Sequence, residues 1–101
     1  MSADDGAPWR HLLDQADRCL EDGDAVGAEV HLTAALERAR ERDEGVAEVE
    51  ALLRLGRLRR SQRRRLAAER RFEEARQRLA SLPSAPQALR AALEAAARED
   101  A

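Results

Sequence analysis

The chain has no lysine, no isoleucine and no tyrosine, and its only aromatic residues are Trp9 and Phe72. A core must therefore be assembled from Leu, Ala and Val. Four Val and one Thr are the whole β-branched content, too little for a sheet of ordinary composition. Cys19 is the single cysteine, which excludes an internal disulfide. No apolar run approaches the roughly 20 residues that cross a bilayer. The N-terminus shows no basic-then-apolar export pattern, so the expectation is a soluble, cytoplasmic protein with no membrane contact. The absence of lysine leaves arginine as the only strong base, for which a GC-rich, bacterial genome is a sufficient cause.

What is present is helix-forming. Ala, Leu, Glu and Arg dominate, and all four favour helix. A chain of 101 residues makes one domain and buries roughly 60–70% of its unfolded surface. The net charge of −2 hides a split. Residues 1–50 hold fourteen acids and five arginines, whereas residues 51–82 hold eleven arginines and three acids. Such polarity predicts either head-to-tail pairing of two chains or folding of one half onto the other.

The pattern predicts five helices. Residues 1–8 are read as a flexible N-terminus, with Pro8 suited to a first helical turn. The first helix runs to about Asp22 and breaks at Gly23-Asp24. The second runs from Ala25 to Arg42, with Ala28, Leu32, Ala35, Leu36 and Ala39 on one face. Asp43-Glu44-Gly45 is the next break. The third helix starts near Val46, with Val49, Leu52, Leu53, Leu55 and Gly56 inward. No apolar side chain occurs from Arg59 to Arg65, and a buried face does not skip about two turns, so a turn is expected near Ser61-Gln62. The rival reading is one unbroken helix from Val46 to Ser81. A fourth helix follows to Ser81, ended by Pro83 and Pro86. Ser84 and Gln87 form a capping-box pattern before a fifth helix striped by Leu89, Ala92, Leu93 and Ala96.

The apolar pattern occurs twice. Leu12, Ala16, Cys19, Ala28, Leu32 and Ala35 are followed forty residues on by Leu52, Gly56, Arg59, Ala68, Phe72 and Ala75. With Trp9 and Gly23, these positions resemble the tetratricopeptide repeat. The copies are longer than that family's usual 34 residues and are similar to the longer variety found in bacterial regulatory proteins. Arg59 departs from the family's large residue and Arg63 from its turn glycine. The resemblance implies an all-α fold of stacked antiparallel helical hairpins: repeat one at 9–42, repeat two at 46–82, and a C-terminal capping helix at 84–99, all within one domain spanning 9–101. Two repeats are fewer than the three or so that usually stand alone. The fifth helix or self-association must complete the core.

The resemblance also implies a concave groove lined by the first and third helices. Its partner-binding candidates are Leu13, Asp17, Leu20, Glu21, Leu53, Arg57 and Arg60, with Arg10, Glu50 and Ser61 beside them. An acidic peptide or helix would suit Arg57 and Arg60 through charge-assisted bidentate bonds. The run Arg54, Arg57, Arg59, Arg60, Arg63, Arg64, Arg65 reads first as a solvated face paired with the acidic half. Its second reading is a contact for an acidic protein, and its third a nucleic-acid patch. Net acidity and the lack of interleaved aromatics count against nucleic acid. His11, His31 and Cys19 form no metal-ligand spacing, and no catalytic constellation appears. The expectation is a non-catalytic protein-interaction module, an adaptor or regulatory accessory protein without cofactor. The alternatives are a nucleic-acid-associated regulator acting through residues 54–71 and a structural homodimer.

Overall fold

The computed structural model describes residues 8–98, and among them every regular element is an α-helix. The order is α1 (Pro8–Glu21), α2 (Ala25–Glu41), α3 (Gly45–Ser61), α4 (Arg65–Ala80) and α5 (Gln87–Arg98). The unbroken-helix alternative for 46–81 is excluded. The turn falls at 62–64, slightly later than the loss of apolar residues indicated, because Arg59 and Arg60 continue the helix with half-buried side chains. Consecutive helices pack on one another from α1 to α4, and α5 lies against α4 and α3. Among the described residues no helix is long and apolar enough to cross a membrane.

Three connections share one geometry. Gly23, Asp43 and Arg63 adopt left-handed backbone, with φ of 79°, 54° and 64°. At each, the next amide donates back across the helix end: Asp24 N to Cys19 O (2.7 Å), Glu44 N to Ala39 O (2.8 Å) and Arg64 N to Arg59 O (2.9 Å). The left-handed residues donate in turn to Leu20, Arg40 and Arg60 carbonyls. These paired bonds satisfy carbonyls that a helix end otherwise orphans. The residue after each left-handed position starts the following helix, its carbonyl accepting from Ala28, Glu48 or Ala68. Only Asp24 adds a side-chain cap, accepting from Gly27 N.

The spacing of these positions is twenty residues, and the next in register is Pro83. A proline ring fixes φ near −65°, so the same turn cannot form there. The chain instead makes a turn in which Leu82 O accepts from Ala85 N, with Pro83 second in the turn, where its ring is favoured. Helix α5 begins at Gln87, with the Pro86 carbonyl accepting from Arg90 N. The expected Ser84–Gln87 capping box does not form, because the helix starts at Gln87 itself and Pro86 holds the cap position.

Helix α3 is the centre of the core. Val49, Leu52 and Leu55 are among the largest fully buried side chains, together with Leu32 and Leu93. The forty-residue correspondence extends to volume. Ala16 and Leu32 become Gly56 and Phe72, a smaller residue matched to a larger one. A Cβ at Gly56 would lie 2.5 Å from the Phe72 ring, so the glycine admits the aromatic side chain between α3 and α4.

Backbone and packing make three substitutions informative. Gly56→Ala should destabilise the protein by about 1–3 kcal/mol through overpacking against Phe72, read from urea unfolding. At the turns, Gly23→Ala should cost about 1 kcal/mol, since no atom lies within 4 Å of an added Cβ and the penalty is purely that of left-handed backbone. Arg63→Gly should not destabilise, because relief of the same strain offsets the greater freedom of the unfolded chain.

Candidate functional site

The surface of α3 that carries Glu50, Leu53, Arg54 and Arg57 repeats at helical spacing and so presents one face. The end of α1 supplies Asp17 and Leu20 on one side. Pro86 and the α5 residues Ala88, Leu89 and Ala92 stand on the other. Together they enclose an open cleft of about 460 Å³. The lining is mainly apolar, and its polar groups are ordered. Arg54 grips Asp17 through two bonds, Nε to Oδ1 at 3.0 Å and Nη2 to Oδ2 at 3.3 Å, and also meets Glu50 at 3.4 Å. Asp17 and Glu50 are thereby partly neutralised. Arg57 is exposed and has no ion-pair or hydrogen-bond partner among the described residues.

Of the residues singled out from the sequence, Asp17, Leu20, Leu53 and Arg57 meet in this cleft. Leu53, 4% exposed, belongs to the hydrophobic core as well as the lining. Leu13, 3% exposed, is also core and lies outside the lining. Glu21 is exposed but also outside it. Arg60 is engaged elsewhere: its guanidinium donates to the Ala96 carbonyl of α5 and lies 5.1 Å from the centre of the Phe72 ring. It holds α5 to α3 and α4. The cleft wall formed by Leu89 and Ala92 was legible as an apolar stripe, but not its docking on α3 and α4 across the cleft from α1, which depends on the irregular chain around Pro83.

The arginine run divides into bonded and exposed members. Arg59 is only 12% exposed and binds Glu29 bidentately, Nη2 to Oε2 at 2.6 Å and Nη1 to Oε1 at 3.2 Å. Arg78, farther along, reaches Asp43 at 2.7 Å and Glu48 at 2.9 Å. With Arg54–Asp17, these contacts fold the basic half of the chain onto the acidic half. Arg63, Arg64 and Arg65 remain exposed.

Cys19 is half-buried beneath the start of α2. Burial pushes its thiol up, and the Asp24 carboxylate reinforces this by charge and hydrogen bonding. The group is therefore a thiol and not a nucleophilic thiolate near neutral pH. Among the described residues no group of three or more His, Cys, Asp or Glu side chains is placed to hold a metal ion.

The hydrogen bond from Arg59 is the main cause that holds the Glu29 carboxyl below its ordinary range, and the Arg59 charge adds to it. A carboxyl depressed in the fold contributes stability above its unfolded value of about 4.3 and loses that contribution as pH falls through the folded value. Glu29→Gln should cost about 1–2 kcal/mol at neutral pH, between the values for exposed and buried pairs. It should also flatten the loss of stability on acidification below about pH 4.3, measured by urea unfolding across that range.

In comparison with known proteins, the chain matches no family model, no curated protein and no solved structure.

Proposed function

We propose that this protein is a non-catalytic interaction module of two tetratricopeptide-like hairpins with a capping helix. It holds an acidic peptide or amphipathic helix of a partner protein in the cleft between α1 and α5. The single observation that carries the reading is the composition of that cleft. Leu20, Leu53, Leu89 and Ala92 supply apolar surface, and exposed Arg57 stands among them with no partner of its own among the described residues. An unpaired arginine beside an apolar cleft suits an acidic group carried next to apolar side chains, because the planar guanidinium binds a carboxylate through two parallel bonds.

The cleft volume of about 460 Å³ fits a few inserted side chains and not a whole helix. The partner's helix or strand would lie along the rim and insert its apolar residues. Arg60 is not an anchor in this reading, since its guanidinium is held at the Ala96 carbonyl and the Phe72 ring, outside the cleft lining. The module would act in the cytoplasm as an adaptor or regulatory subunit, with no cofactor.

The test is titration with an array of acidic amphipathic peptides, read by calorimetry and by amide chemical shifts of α1, α3 and α5. Arg57→Glu should weaken peptide binding at least about tenfold, equivalent to about 1.4 kcal/mol. The melting temperature should stay unchanged, because Arg57 supports no other described residue. Peptide binding indifferent to this reversal would overturn the reading.

A further inference from the structure

The two turns related by the forty-residue repeat carry opposite charge. At the α1–α2 turn, Glu21, Asp22 and Asp24 are exposed; at the α3–α4 turn, Arg63, Arg64 and Arg65 are exposed. Each turn is followed, at the equivalent position, by an exposed apolar side chain: Val26 is 76% exposed and Leu66 77%. Val30, one helical turn beyond Val26, is 60% exposed. Large apolar side chains this open to water at matched positions are the unpartnered features of the surface.

Both turns lie at one end of the molecule. Glu29, in the first half of α2, bonds Arg59 at the end of α3. The charges of Arg64, just before α4, and of Arg71 on α4 also reach Glu29. The acidic corner and the basic corner are therefore neighbours along one edge.

A helix C-terminus favours cations and an N-terminus favours anions. Glu21 closes α1 and Arg65 opens α4, each against the dipole of its own helix, whereas Asp24 caps α2 in the favoured sense. Opposite charges at two neighbouring corners, each beside an exposed apolar residue, make an edge complementary to itself under a two-fold rotation. The acidic corner of one copy then meets the basic corner of the other, twice, with Val26 against Leu66 in both contacts.

We propose that this edge is a homodimer interface, and that its occupant is a second copy of the same chain. The contact is driven by charge and sealed by Val26, Val30 and Leu66. It leaves the α1–α5 cleft out of the interface, so it is independent of the peptide-binding reading.

Sedimentation equilibrium of the full chain tests it, at about 0.1 M and about 1 M salt, between which the screening length falls from about 10 Å to about 3 Å. The wild type should dimerise at low salt, with dissociation at least about tenfold stronger at high salt. The pairs Glu21→Arg with Asp22→Arg, and Arg64→Glu with Arg65→Glu, should each be monomeric. All four side chains are exposed, so both variants should remain folded, read from their melting temperatures. An equimolar mixture of the two variants should re-form a dimer, because each then supplies the charge that the other lacks. A wild type monomeric at low salt, a dimer that survives either reversal, or a mixture that stays monomeric overturns the proposal. So does a monomeric wild type that binds duplex DNA through Arg64 and Arg65.

Discussion

The recurrence of a left-handed residue every twenty positions governs this structure. Gly23, Asp43 and Arg63 reverse the chain in the same way, and each reversal is sealed by a short amide-to-carbonyl bond across the helix end. Fixed turn spacing fixes helix length. That places Ala16 opposite α2 and Gly56 opposite Phe72, so the core closes with almost no aromatic residues. The series stops at Pro83 because proline cannot take a positive φ. Helix α5 is thereby released from the period and lies against α3 and α4, where its edge becomes one wall of the cleft.

The ion pairs complete what the turns begin. Arg54 to Asp17, Arg59 to Glu29 and Arg78 to Glu48 join residues thirty or more apart in sequence. They tie α1, α2 and α3 together in one register and α4 to α3. Arg59 sits in the slot that Cys19 occupies forty residues earlier, and Glu29 is what makes a guanidinium tolerable there: an arginine 12% exposed is costly to bury unless paired. The charge left over after this pairing is what remains available to other molecules. Arg57 is left at the cleft, and the opposed clusters at the two repeat-related turns are left at the edge.

Much of the helical order was legible in the sequence. Gly23 and the Asp43–Gly45 triplet announce their turns, and the missing apolar residues after Leu58 announce the third. The charge split left two readings open, pairing of two chains or folding of one half on the other, and the ion pairs within the chain show the second. The twenty-residue period was hidden because its left-handed positions hold three different residues, Gly, Asp and Arg, and arginine carries no turn signal of its own. At the cleft, the α3 face and Leu20 follow from helical spacing. The docking of α5 does not, since it depends on how the Leu82–Ala85 turn directs the chain. Arg60 illustrates the same limit: its place on α3 is readable, but its bond to the Ala96 carbonyl is a tertiary fact.

The central claim is that a sharp reversal with left-handed backbone at Arg63 divides residues 45–80 into two packed helices. Backbone chemical shifts and amide–α-proton couplings in solution test this most directly. The account predicts helical values through Ser61 and again from Arg65, with a break at 62–64 and a positive φ at Arg63. Unbroken helical values from Gly45 to Ala80 would contradict it.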